Sequence, residues 1–469
     1  MLNGDDTLAV MPTGSGKSAI YQIPAVMMDG PTVVVSPLIA LQREQSGELN
    51  KRDAGGAVVV NSLLTERAQD EALAEVEQGD TEFLFMAPEQ FSNAERLQDV
   101  RAAHPSLFVV DEAHCISEWG HSFRPDYLQL GKVIEELGHP TILALTATAN
   151  EAVRAEIIER LGMRSPKVFI HGFDRPNLWL GVETAPSEVK KRAMLLERIR
   201  NTARPGIVYA TTRRHAEEIR DELNNVGISS AFYHGGLTKS VREEMQRQFM
   251  NDEVEVIVAT SAFGMGVDKP DVRFVFHYEA PDSIDSYYQE IGRAGRDGEP
   301  ASIVLFYNPR DLAIHKFFKG GGQICTADVQ NVLDTLESLG EVASSDLQEQ
   351  TGLSKTKLAR ALGRLQEFGA IDVSAQGIVC LSNGSGDLAD AAEEAAKAQS
   401  ERHEAELRRI EDMRMYAETL ECRRAYLLHY FGEEYEDGCG NCDNCQGAGT
   451  ERATLIAETN RQLAEGDAS

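Results

Sequence analysis

The chain has 469 residues, a formal net charge of −29 and 42% hydrophobic residues. That length exceeds what one hydrophobic core serves and predicts three or more domains. No apolar run is long enough to cross a bilayer and no basic leader with an apolar core opens the sequence, so a spanning protein is excluded and a cytoplasmic one expected.

From residue 1 to 175, short Val/Ile/Leu-rich runs alternate with helical patterns. Strands are predicted at 8–11, 32–36, 57–60, 83–86, 107–110 and 142–145. Apolar runs set between helices predict a parallel sheet covered on both faces. The pattern repeats over 176–319, with strands predicted at 206–209, 230–233, 254–259, 273–277 and 302–306. Between the two α/β domains, FDRPN at 173–177 reads as a hinge, with Pro176 fixing the backbone. Gly320 to Gly322 mark a boundary. Over 320–382 three helices and a hairpin predict a winged helix-turn-helix. Thr326 is placed as the cap of its first helix, with Val329, Val332, Leu333, Leu336 and Leu339 inward, and Ser354 as the cap of its third. NGSGD at 383–387 reads as a linker, and 388–421 as a long or once-broken helix. A cysteine module (422–446) and a tail (447–469) follow, the tail read as helical near 453–463.

The acidic excess alone argues against nucleic acid, because phosphate contacts need Lys and Arg. Net charge describes the long-range field, however, and a local basic patch decides a site.

The first strand breaks into MPTGSGKS. Thr13, Gly14, Ser15 and Gly16 offer backbone N–H groups to an anion, Lys17 would reach β- and γ-phosphates, and the Ser18 hydroxyl would hold Mg²⁺. The first position of G-x-x-x-x-G-K-[ST] is Met11, so in isolation a Gly-rich turn is the alternative. The run LFVVDEAH puts Asp111 and Glu112 at a strand end, where Asp111 can hold Mg²⁺ and Glu112 can orient an attacking water. In QEIGRAGR, Arg293 and Arg296 are three residues apart and can share one helical face aimed at a γ-phosphate. Gln289 and Asp268 are assigned to the same ATP and Mg²⁺ site. Cys422, Cys439, Cys442 and Cys445 form C-x16-C-x2-C-x2-C, a closed thiolate set for structural Zn²⁺, with an iron–sulfur cluster as the alternative.

MPTGSGKS, DEAH, CISEWGHSFRPDY at 115–127, LTATA at 145–149, YHGGL at 233–237, AFGMGVDKPDVRFV at 262–275 and QEIGRAGRDG at 289–298 together resemble the RecQ family of superfamily 2 DNA helicases. The resemblance implies two RecA-like domains and an ATP-dependent 3′→5′ DNA helicase of recombination and repair. Its expected partners are single-stranded and forked DNA, with single-strand-binding and repair proteins beside a monomeric enzyme. It also implies that the aromatic-rich segment after DEAH binds single-stranded DNA, here through Trp119, His121, Phe123, Arg124 and Tyr127. Base stacking on aromatic rings tolerates any sequence, at about 1–3 kcal/mol per base. The alternative places Trp119 and Phe123 in the core. Arg423 and Arg424 are further candidates to face DNA, as is Tyr426 unless it is core.

The sequence departs from the family pattern in two ways. The family's adenine-reading Gln and aromatic-Arg motif precede the phosphate loop, whereas only 16 residues precede Lys17, none of them Gln; a misassigned or truncated start inside the first domain is expected, with lost adenine selectivity as the alternative. The family's winged helix follows the zinc module, whereas here the winged-helix-like segment precedes it. Lys357, Arg360 and Arg364 on its third helix are read as facing away from Leu358, Ala361 and Leu365, toward duplex phosphates; packing or protein interaction is the alternative. Two rival functions stand beside the helicase: a DNA-stimulated ATPase that translocates without unwinding, and a winged-helix DNA-binding protein with a degenerate ATPase.

Overall fold

The computed structural model describes residues 1–12, 16–52, 55–117, 124–264, 267–320, 324–374, 377–382, 388–436 and 438–447, with backbone only at 40, 125, 316–320, 367, 388, 389 and 391. It divides into two compact units, one of residues 1–309 and 415–469, the other of 310–414.

The larger unit holds two parallel sheets. The first contains β1 (Thr7–Val10), β2 (Thr32–Val35), β3 (Ala57–Val60), β4 (Phe83–Met86), β5 (Leu107–Val110), β6 (Thr141–Thr146) and β7 (Lys167–Ile170), in the order β3-β4-β2-β5-β6-β1-β7. The second contains β8 (Leu178–Thr184), β9 (Gly206–Tyr209), β10 (Ser230–Tyr233), β11 (Val256–Ala259), β12 (Phe274–His277) and β13 (Ala301–Tyr307), in the order β10-β11-β9-β12-β13-β8. Helices cover both faces, so β1, β2, β4, β5, β9, β11 and β12 are buried along their whole length, as unbroken apolar runs require. The sequence reading missed β7 and β8, the strands at one edge of each sheet. Lys167, Val168 and Phe169 of β7 are exposed and lack the buried apolar signature.

The second unit is built on Val329, Val332, Leu333 and Leu336, which meet Leu347, Leu358, Ala361 and Leu365 from two further helices and Ile371 and Val379 from a three-stranded antiparallel sheet. This is the expected winged helix-turn-helix arrangement. Its extent differs from the expectation. It begins at Arg310 rather than 320, and Ala392, Ala395 and Ala396 of the helix Leu388–Glu418 belong to its core. Small side chains at that spacing let the helix approach closely. The cap of the helix Thr326–Leu339 is Cys325, in a reciprocal capping box with Asp328, and Leu339 is exposed. Ser354 caps the third helix as expected, accepting from the Lys357 N–H.

In the second sheet's domain, His215 Nδ1 lies 2.6 Å from Glu279 Oε1, and Glu279 Oε2 accepts from the Thr211 N–H at 2.7 Å. The hydrogen bond to Glu279 raises the His215 pKa; burial and Arg192 oppose it, Glu188 adds to it. A raised histidine contributes its stability below its ordinary pKa of about 6.5 and loses it as pH rises through the folded value. His215→Phe is therefore expected to lower the melting temperature at about pH 5.5, with the difference from wild type shrinking toward about pH 8.5, as read by circular dichroism melts across that range.

Candidate nucleotide cleft and metal module

Gly16 sits at φ 83°, a left-handed conformation open to glycine, and caps the helix Lys17–Ala25. Thr13, Gly14 and Ser15 lie outside the described residues. The Lys17 ammonium is buried and makes no hydrogen bond within the described chain. A buried ammonium with its hydrogen bonds unmade is the feature a phosphate would complete. The Ser18 hydroxyl accepts from Gln45 Nε2 at 3.3 Å, and Gln45 Oε1 accepts from the Tyr21 hydroxyl at 3.2 Å. Gln45 comes from the helix Ile39–Arg52, where no local pattern marks it.

Asp111 and Glu112 follow β5. Burial pushes the Asp111 carboxyl up to about 6; the Glu112 charge adds to this and Lys17 opposes it. A carboxylate so desolvated gains from a nearby cation. Glu112 holds φ 49°, a left-handed conformation costly for a residue with a Cβ. The His114 ring joins this pair to LTATA: its Nδ1 lies 3.3 Å from Glu112 Oε2 and 2.9 Å from Thr146 Oγ1, which donates to the Thr148 carbonyl at 3.1 Å.

The opposite wall comes from the second sheet. Gln289 lies on the helix Ile284–Ile291, and the turn after it carries both arginines. Arg293 is buried, its Nε unpaired among the described residues. Arg296 donates to the Val267 carbonyl at 3.0 Å and pairs with Asp268. Gly16, Lys17, Ser18, Asp111, Glu112, Gln289, Asp268, Arg293 and Arg296 line one cleft of about 340 Å³. Asp268, assigned to ATP and Mg²⁺ from sequence, serves here as the partner of Arg296. Leu41, Glu44 and Glu48 also line the cleft, and their helix was silent in the sequence reading.

The four cysteine sulfurs lie within 4.8 Å of one another. Backbone N–H groups of Cys439, Asn441 and Cys445 point at Cys422, Cys439 and Cys442 Sγ at 3.3–3.4 Å. Such donors stabilise thiolate charge, and four thiolates in one cluster fit tetrahedral Zn²⁺. Arg423, fully buried, pairs with Asp443 at 2.6 Å, and Asp443 Oδ2 accepts from the Val182 N–H at 2.9 Å. Leu180 N–H donates to the Asn441 carbonyl at 3.3 Å and Asp443 N–H to the Leu180 carbonyl at 3.0 Å, so the module lies along the free edge of β8.

Residues 1–156 match the DEAD/DEAH box helicase family, 190–298 the helicase conserved C-terminal domain, and 385–446 the RecQ zinc-binding family. The probable ATP-dependent DNA helicase RecS of Bacillus subtilis is 36% identical over 450 residues, 96% of this chain and 87% of that protein. The chain belongs to the RecQ family of ATP-dependent DNA helicases. It is 36% identical to the ATP-dependent DNA helicase RecQ of Pasteurella multocida, covering 95% of this chain and 58% of that one, and 34% identical to RecQ of Bacillus subtilis, covering 94% and 61%. It thus spans about three-fifths of these two RecQ relatives. Among solved structures, the DUF1998 helicase MrfA bound to DNA (TM-score 0.56, 18% identity, 83% of this chain and 56% of that one) shares the fold. So does Mycobacterium smegmatis Lhr bound to ssDNA and AMP-PNP (TM-score 0.52, 20%, 85% and 58%).

Within this RecQ-family chain several expected DNA contacts need correction. Tyr127 is fully buried and its hydroxyl donates to the Asp111 carbonyl at 3.1 Å, so it cannot stack on a base; it ties the segment after DEAH to the cleft. Arg124 is half-buried and donates to the Pro37 carbonyl at 3.0 Å. Trp119, His121 and Phe123 lie outside the described residues. Arg364 is buried beside Gln399, its Nε 3.4 Å from Oε1, because at 100° per residue it falls next to Ala361 on the inner stripe. Lys357, 2.9 Å from Asp328, and half-buried Arg360 keep outer positions. Arg423 and Arg424 are internal anchors rather than DNA ligands; Arg424 pairs with Asp174 at 2.5 Å and donates to the Leu178 carbonyl at 2.8 Å. Half-buried Tyr426 packs edge-on against Tyr416. Residues 173–177 are accordingly clamped. Phe173 stacks on Phe431 at 4.6 Å and 4°, and Asn441 donates to the Pro176 carbonyl.

Asp443→Ala would leave Arg423 charged, buried and deprived of its carboxylate, at a cost of about 3–5 kcal/mol. The expected result is a lower melting temperature and faster zinc release to EDTA than from wild type, followed with a chromogenic zinc indicator.

Proposed function

We propose that this protein couples ATP hydrolysis to 3′→5′ translocation on single-stranded DNA and to unwinding of forked duplexes in recombination and repair. The observation that carries the reading is that Lys17, Asp111 and Glu112 from one sheet and Arg293 and Arg296 from another line a single cleft. Lys17 binds the β- and γ-phosphates. Ser18 and Asp111 hold Mg²⁺, which neutralises charge on those phosphates. Glu112 orients the attacking water, and Arg293 and Arg296 stabilise the charge that develops on the transferring phosphoryl group. Because the two walls belong to different domains, closing on ATP and reopening after hydrolysis changes their spacing, and DNA bound across both is moved. Trp119, His121 and Phe123 are proposed to stack on bases.

A forked DNA with a 3′ single-stranded arm is the discriminating substrate. Wild type is expected to displace the strand with ATP, and Lys17→Ala and Glu112→Gln to lose both displacement and DNA-stimulated ATP hydrolysis by about 10²-fold or more, with folding retained. Robust hydrolysis with no displacement would establish the translocase reading instead. DNA binding without ATP hydrolysis in wild type, unaltered by Lys17→Ala, would leave only the DNA-binding protein with a degenerate ATPase.

The winged-helix unit is proposed to contact duplex phosphates through Lys357 and Arg360. Changing both to Ala is expected to weaken forked-DNA affinity uniformly across sequences and to lower the salt-dependence slope by about 1–2 in a fluorescence anisotropy titration. An unchanged slope and affinity would assign this helix to packing.

A further inference from the structure

Arg293 faces the cleft from a turn, yet its side chain is buried, so the groups packed around it set its direction. Beside it lies Tyr209, the last residue of β9. The Tyr209 hydroxyl donates to the Phe263 carbonyl at 2.8 Å, and the Arg293 charge acts on that hydroxyl. Gly264 closes the other side; a Cβ there would stand 3.2 Å from Arg293 Nη2. The loop gripped at Phe263 carries Val267 and Asp268, the two partners of Arg296. One hydroxyl therefore joins the support of one arginine to the segment that holds the other.

Tyr209 itself has little freedom. The His277 ring stacks on it at 5.4 Å and 22°. His277 is fixed in turn by Glu290 Oε2, 2.8 Å from its Nε2. Glu290 lies on the helix that ends just before Arg293. All three side chains are buried, and a buried polar chain with fixed partners is rigid. Such rigidity is what an arginine needs to meet developing charge without reorganising. A Tyr serving as core filler alone would need the ring and not the hydroxyl.

We infer that Tyr209, seated on His277, is a positioning residue for Arg293 in ATP hydrolysis. This rests on the reading of Arg293 as a transition-state residue. Tyr209→Phe keeps the ring and the stack and removes the hydrogen bond that holds the Phe263–Gly264 loop against Arg293. The test compares the full chain as wild type, Tyr209→Phe, Arg293→Ala and the double variant, measuring kcat and KM for ATP at saturating single-stranded DNA, with melting temperatures alongside. Tyr209→Phe is expected to lower kcat about tenfold or more, leave KM within about twofold, and melt as a folded protein. On the Arg293→Ala background the same change is expected to have a much smaller effect, leaving only what passes through the segment that holds Arg296. Wild-type kcat in Tyr209→Phe, a rise in KM matching the fall in kcat, or a full-sized effect on the Arg293→Ala background would each overturn the inference. Arg293→Ala with wild-type kcat would instead overturn the role given to Arg293, a separate outcome visible in the same data.

Discussion

The buried Arg423–Asp443 pair fixes much of what surrounds it. Asp443 accepts from Arg423 on one oxygen and from the Val182 N–H on the other, so a single carboxylate holds the helix after Cys422, the cysteine turn and the edge of the second sheet. The neighbouring Arg424 reaches Asp174 and the Leu178 carbonyl, which fastens the connection between the two sheets to the same module. Phe431 then stacks on Phe173, while its carbonyl accepts from Arg154 of the first domain at 3.2 Å. Two desolvated cations are costly to bury, and their geometry rather than net stability is what the arrangement secures. The cysteine module thus touches both domains whose separation defines the nucleotide cleft.

Inside that cleft the local rules of a stable protein are set aside. Lys17 is a buried ammonium without a hydrogen bond among the described residues, Asp111 is a carboxyl driven toward its neutral form, and Glu112 holds a backbone conformation that a side chain disfavours. The first two would be relieved by bound ions, an anion for Lys17 and a cation for Asp111. Sites that depart from local consistency in this way are where function is expected.

The sequence carried the central strands and the cleft because both depend on local signals. Val/Ile/Leu runs bounded by turns need no tertiary information to be read as buried parallel strands, and GSGKS, DEAH and GRAGR each sit at the end of such a run or on the turn after a helix. What was missed depends on distant partners. β7 is exposed along most of its length and β8 lies where the cysteine module covers it, so neither has the simple signature of a central strand. Gln45 enters the cleft only because its helix packs beside Ser18. Tyr127 and Arg364 were misread for a related reason. An aromatic or a cation on a loop or helix looks available until the carbonyl or amide that claims it, at Asp111 or Gln399, is known.

β8 is an outer strand of the second sheet, and it begins Leu178-Trp179-Leu180. An uncovered apolar edge with free N–H and C=O groups is a template for pairing with another chain. Here the backbone of Asn441 and Asp443 occupies that edge at Leu180, and Gln446 receives the Trp179 indole N–H at 3.1 Å. The cysteine turn therefore acts as a sheath as well as a brace. Loss of a metal from the four cysteines would loosen this turn and bare the edge of β8, so edge-to-edge association is the expected hazard of the zinc-depleted protein.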